Sequence, residues 1–79
     1  MNLMETPINQ LLRAMHDPNY KKLKDFVVVV LHRGAPNDRR EIDGSLIISV
    51  KKDGFWYRNF QGEEVFIPAH RIIELRLKK

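Results

Sequence analysis

The run Phe26-Val-Val-Val-Val-Leu31 constrains this chain more than any other feature. β-branched side chains are stiff at χ1 and pack well on a pleated surface, so the run reads as a strand. It does not alternate polar with apolar, so both of its faces are expected to be buried. That marks a central strand with neighbours on either side and a helix on one face. At six residues it is far too short to span a bilayer.

The helix is expected at residues 6–16. Thr6 is a good N-cap, and Pro7 at the first helical position loses nothing by lacking an N–H. Ile8, Leu11, Leu12 and Met15 recur at helical spacing and form one apolar stripe. Asp17-Pro18 ends the helix, because proline pushes the residue before it out of the helical region. Residues 19–24 carry three lysines and read as a solvated loop.

Beyond the central strand, residues 34–38 read as a turn by composition and residues 39–42 as a short strand. Residues 46–52 alternate, with Leu46, Ile48 and Val50 on one face. Asp53-Gly54 predicts a two-residue type I′ hairpin turn. That turn pairs Lys52 with Phe55, Lys51 with Trp56, Val50 with Tyr57 and Ser49 with Arg58. Residues 55–60 form the return strand, Gln61-Gly62 makes another turn, residues 63–67 come back, and Ile72–Leu77 is the last strand. The expected fold is α+β: an N-terminal helix packed on one strongly curved antiparallel sheet of five to six strands, approaching a barrel. The segment from Ile42 to Val50 echoes that from Ile67 to Leu75, each reading as a strand end, a four-residue turn and a new strand.

With 79 residues, the chain has room for one domain. It has no cysteine, which removes disulfides, thiolate metal sites and cysteine nucleophiles from consideration. The opening Met-Asn-Leu-Met-Glu has no basic region, apolar stretch or small-residue cleavage site. No secretory signal is therefore expected, and the default is a cytoplasmic protein with no membrane partner. Fourteen basic residues against ten acidic give a net charge of +4, a balance that points weakly towards polyanions.

Three groups of residues can carry chemistry. The first is His32-Arg33-Gly34, continuing through Asp38, Arg39 and Arg40. Guanidinium forks match phosphate oxygens, and a glycine turn can aim backbone N–H groups at one anion. Asp38 then orients an arginine or accepts from a sugar hydroxyl; the competing reading is a charged turn whose aspartate pairs with its neighbours. The second is His70-Arg71, where the competing reading is a solvated corner in which Arg71 pairs with Glu74. Both His-Arg pairs sit at strand ends, and if the last strand neighbours the first they meet at one sheet edge. The third follows from the hairpin register. It places Ile48, Val50, Phe55 and Tyr57 on the core face, and Ser49, Lys51, Trp56 and Arg58 on the other. An aromatic between cations resembles a base-stacking platform, or else Trp56 covers a sheet edge under Lys51. His16 suits the helix C-terminus. The three histidines have no metal-binding spacing, and there is no phosphate-binding loop, dinucleotide fingerprint or nucleophile elbow. No metal or cofactor is expected.

Pro7-Ile-Asn-Gln-Leu-Leu12, Leu31-His-Arg-Gly-Ala-Pro-Asn-Asp38 and Ile67-Pro-Ala-His-Arg-Ile72 resemble segments of a family of small archaeal proteins. That family is described as the RNA cyclic-group end recognition domain. The resemblance covers nearly the whole chain. One departure is Ile42-Asp43, where the family more often has proline after the isoleucine. From domain fusions and gene neighbourhoods, the resemblance implies binding of RNA ends that carry a 2′,3′-cyclic phosphate. It places His32, Arg33, Gly34, Asp38, His70 and Arg71 at the ligand, with Trp56 stacking a base. The expectation is a non-catalytic RNA-binding module serving an RNA-processing or repair enzyme. Two alternatives stay open: a cyclic phosphodiesterase that uses His32 and His70 as acid and base, and a protein–protein adaptor that offers a sheet edge.

Overall fold

The computed structural model describes residues 6–78. Its single α-helix, α1, spans Pro7–His16. The Thr6 hydroxyl accepts the Asn9 N–H at 3.3 Å, and Asp17 leaves the helix in an extended conformation. Six strands follow: β1 (Phe26–Leu31), β2 (Arg39–Asp43), β3 (Ile47–Lys51), β4 (Gly54–Arg58), β5 (Glu64–Pro68) and β6 (Ile72–Leu77).

The six strands do not make one sheet. They form two antiparallel sheets of three strands, ordered β2-β1-β6 and β3-β4-β5, and no barrel closes. The expected strand count and the central place of β1 agree with this arrangement, but the single curved sheet is corrected. Two corners carry the chain between sheets. Gly44–Leu46 and Ala69–Arg71 are both three-residue 3-10 turns, the first joining β2 to β3 and the second joining β5 to β6. These are the two segments that echo each other in the sequence. Each links an edge strand of one sheet to an edge strand of the other, so strand periodicity alone does not reveal the split.

The core lies between the sheets and α1. Ile8 and Leu11 of the helix pack with Val28, Val30, Ile42, Val50, Phe55 and Tyr57. Ala14 is also buried on the helix, while Leu12 and Met15 are half-buried against the cluster. Burying each large side chain stabilises the fold by roughly 1.5–3 kcal/mol. Val29 points to the other face of β1, opposite Glu41 and Glu74, yet it is also fully buried. No helix covers it. Arg76 reaches across that face to Glu41 at 2.7 Å and Glu74 at 3.6 Å, and the stems of such long side chains shield apolar surface.

The β3–β4 hairpin departs from its expected pairing by two residues, because the turn sits one position earlier. Lys51 pairs with Gly54, Val50 with Phe55 and Ser49 with Trp56. The turn is Lys52-Asp53, and neither residue has positive φ, so it is not a type I′ turn. Gly54 serves a different purpose: a Cβ there would strike the Ile67 carbonyl oxygen and the Phe66 ring of β5. The glycine permits close approach of two strands instead of shaping the turn. A register shift between Ile47 and Ser49 turns Ile47 inwards and leaves Ile48, expected in the core, 41% exposed. Leu46 is likewise exposed, in the corner.

Candidate functional site: a cleft between two His-Arg dipeptides

β1 has β6 as one neighbour, and the register sets Val30 opposite Ile72. Continuing that ladder would place Leu31 opposite Arg71 and His32 opposite His70. The chain instead leaves the sheet on both sides, into a turn after Leu31 and out of the 3-10 corner before Ile72. The result is an open cleft of about 580 Å³ lined by Leu31, His32, Arg33, His70 and Arg71. Both His-Arg dipeptides share it, at the sheet edge where adjacency of the first and last strands puts them.

The cleft is cationic and uncompensated. Among the described residues, neither Arg33 nor Arg71 forms an ion pair. Glu74, the expected partner of Arg71, lies instead 3.6 Å from Arg76. The corner beneath His70 is tied down by the Ala69 N–H, which donates to the Asp53 carbonyl at 2.8 Å.

The turn after β1 is built from its own backbone. The His32 N–H donates to the Asp38 carbonyl at 2.7 Å, and the Ala35 N–H donates to the His32 carbonyl at 3.1 Å. The Asp38 N–H donates to the Ala35 carbonyl at 2.8 Å. Gly34, Asn37 and Asp38 all have φ between +54 and +93, a conformation that favours glycine, asparagine and aspartate. The Asp38 carboxylate accepts the Gly34 N–H at 3.2 Å. Asp38 therefore braces the turn; it pairs with none of the three neighbouring arginines. The Gly34 N–H is engaged within the turn and is not presented to an anion.

The other expected site residues lie elsewhere. Asp38 lines a separate polar hollow of about 560 Å³ with Arg39, Glu41 and Arg76. Arg40 turns towards the core side of β2, its guanidinium 6.0 Å from the centre of the Tyr57 ring. Trp56 sits on the outer face of the second sheet and is 39% exposed. Its ring centre lies 5.2 Å from that of its cross-strand partner Phe66. Arg58 on the same face is held by Glu64 at 3.2 Å, and Lys51 stands opposite Gly54. His16 is exposed in the last turn of α1. Among the described residues, no cluster of three or more histidine or carboxylate side chains is placed to hold a metal ion. Among the described residues, no helix is long and apolar enough to cross a membrane either. Sequence reasoning missed Phe60. Read as the end of a strand, it stands 98% exposed in the turn between β4 and β5.

A small α+β domain with two three-stranded sheets and a cationic edge cleft is the class these features define. The chain belongs to the MJ1316 RNA cyclic group end recognition domain family, whose model matches residues 4–79. It is 40% identical over 62 residues to UPF0248 protein MJ1316 of Methanocaldococcus jannaschii, covering 78% of this chain and 69% of that one. A UPF0248 protein of Methanococcus vannielii is 42% identical over 53 residues, which is 67% of this chain and 57% of the relative. A third, from Methanococcus maripaludis, is 34% identical over 73 residues, or 92% and 83% of the two chains. No solved structure matches the chain significantly.

Proposed function

We propose that this domain is a non-catalytic RNA-binding module that holds a phosphorylated RNA end, with a 2′,3′-cyclic phosphate as the preferred terminus. The observation that carries this reading is the meeting of His32-Arg33 and His70-Arg71 in one cleft, with neither guanidinium paired to an acid among the described residues. A cyclic phosphate has one charge and two non-bridging oxygens. One guanidinium fork and one further donor satisfy it. The imidazoles then serve as hydrogen-bond donors beside the anion. The family's description, which names RNA cyclic group ends, supports the same ligand. On this reading the domain presents RNA ends to a separate processing or repair enzyme, and Trp56 with Phe66 offers a stacking surface away from the cleft.

The paired imidazoles also favour a second reading, a cyclic phosphodiesterase. Acid–base chemistry needs one neutral and one protonated ring, and a third group usually fixes the base's tautomer. Among the described residues, no carboxylate lines the cleft, Asp38 is engaged with Gly34, and Glu74 is beside Arg76. That arrangement favours binding over turnover.

The deciding experiment titrates the protein against one short RNA ending in cyclic phosphate, 3′-phosphate or free hydroxyls, and resolves the RNA termini after incubation. Tightest binding to the cyclic end with unchanged termini supports the module. Ring-opened product that disappears in both His32→Ala and His70→Ala would establish the phosphodiesterase instead. Equal affinity for all three ends would remove the end-specific reading.

A further inference from the structure

Phe60 is a costly residue to leave in water, and the turn that holds it is not loose. The Asn59 side-chain oxygen accepts the N–H groups of Gln61 at 3.0 Å and Glu63 at 2.9 Å. Its NH2 donates to the Glu63 carboxylate at 3.1 Å. The Asn59 N–H donates to the Glu63 carbonyl at 2.9 Å, and the Gly62 N–H donates to the Asn59 carbonyl at 3.0 Å. These bonds present an aromatic ring, 98% exposed, on a fixed support. Beside it lies a hollow of about 310 Å³, with apolar walls from Ile42, Leu46, Tyr57 and Phe60, polar groups from Arg40, Ser45 and Asn59, and the carboxylates of Glu41 and Asp43, which are held by Arg76 and Lys78. Arg40 leans over the Tyr57 ring and, among the described residues, has no ion-pair partner.

We propose that this hollow is a nucleobase subsite, in which Phe60 stacks on one face of a base and Arg40 approaches its edge or the phosphate beside it. The inference rests on the reading that the ligand is RNA and adds to it a second contact point, separate from the His-Arg cleft. The volume lies at the lower end for small-molecule pockets, a size that suits one planar ring system. Stacking on an aromatic face tolerates any base, because every base has a π-face. The positions of the two sites agree with this assignment. Arg40 of β2 and Ile72 of β6 both pair with Val30 of β1, so the three form one row across the sheet. Neighbouring strands lie about 4.8 Å apart, which puts β2 and β6 roughly 10 Å from each other. His70 and Arg71 directly precede Ile72. An RNA held by its terminal phosphate at the β6 side can therefore bring an adjacent base to the β2 side.

The test uses two fragments and one RNA. Two-dimensional NMR of the full chain is recorded with adenosine, which has a base and no phosphate, and separately with inorganic phosphate. Adenosine is expected to shift signals of Tyr57, Asn59 and Phe60, and phosphate those of His32, Arg33, His70 and Arg71. Phe60→Ala, at a wholly exposed position, keeps the fold and weakens the adenosine response by about tenfold or more. For a 3′-phosphorylated trinucleotide, removing the base next to the terminal nucleotide should cost the wild type about tenfold in affinity and cost Phe60→Ala nothing. Arg40→Ala serves as a second variant and should also weaken the adenosine response. A phosphate response with no adenosine response at the hollow would overturn the subsite and leave the end-binding reading intact. An adenosine response without a phosphate response would do the reverse. Signals at the hollow that move with protein concentration, and stop doing so in Phe60→Ala, would assign the ring to a second copy of the chain and overturn the proposal.

Discussion

Val30 and Ile72 face each other across the first and last strands, and this one pairing brings the two His-Arg dipeptides together. Every residue that lines the cleft lies within three positions of one of these two. The site is thus a product of sheet register, with its cationic side chains at the points where β1 ends and β6 begins.

Arg33→Ala and Arg71→Ala should each weaken binding of a phosphate-ended RNA by about tenfold or more, the loss expected for a hydrogen bond to a charged group. If each contacts one phosphate, the slope of log affinity against log salt should flatten by about 0.7 per variant. Lys51→Ala, on the outer face of the second sheet, should weaken all RNA ends alike. Fluorescence anisotropy at several salt concentrations, with the three termini compared, measures all of this.

Asp38→Ala should loosen the turn without removing a ligand contact. Its carboxylate accepts the Gly34 N–H, and its own backbone sits at φ +54. Alanine loses the acceptor and tolerates that φ poorly. Asparagine keeps a side-chain oxygen and tolerates it well. Amide exchange at Gly34 should accelerate in Asp38→Ala and stay near wild type in Asp38→Asn, with RNA affinity following the same order.

Gly44→Ala should destabilise the domain by about 1–3 kcal/mol or prevent folding. A Cβ at Gly44 would press on the backbone carbonyls of Leu23 and Phe26, and neither can swing aside as a side-chain tip can. Urea denaturation followed by Trp56 fluorescence gives the comparison. Gly34→Ala is the control for space: nothing lies within 4 Å of its added Cβ, so its cost comes from φ +93 alone, about 1–3 kcal/mol.

Acid should weaken the tie between β2 and the C-terminal segment. The Lys78 ammonium beside Asp43, helped by the Ser45 N–H, lowers that carboxyl's pKa from 3.8 to about 2. A depressed carboxylate pKa contributes stability that is complete above the unfolded value and is lost as pH falls through the folded value. The window here runs from about pH 4 down to about pH 2. Both side chains are more than a third exposed, so solvent screening limits the contribution to about 1 kcal/mol. The gap in urea midpoint between wild type and Lys78→Ala should be present at pH 6 and close by pH 2.

The helix and β1 were legible in the sequence because local chemistry and tertiary context agree there: Thr6-Pro7 opens α1, Asp17-Pro18 closes it, and an unbroken β-branched run can only be a buried strand. The His-Arg meeting was legible for a related reason, since a central first strand next to the last one brings both dipeptides to one edge. Gly54 misled because a glycine after aspartate reads as a turn, and its need for closeness to Ile67 arises from the far end of the next strand, β5, which local composition does not reveal. Ile48 went wrong for a separate reason: the irregularity between Ile47 and Ser49 reverses which side chains face inwards on the far side of it. Asp38 was read through its charge, whereas its role depends on a left-handed backbone that composition does not reveal. Phe60 was hidden because nothing local separates the last residue of a strand from the first residue beyond it.

The adjacency of β1 and β6 has a consequence in time as well as in space. On a ribosome, α1, β1 and β2 emerge first and can begin to pack, but β1 keeps one open edge until Ile72–Leu77 arrives. Such long-range pairing slows folding and leaves an apolar strand edge unsatisfied meanwhile. The cleft therefore has no partial form during synthesis. A nascent chain presents His32 and Arg33 without their counterparts, and the two dipeptides come together only when the last strand docks.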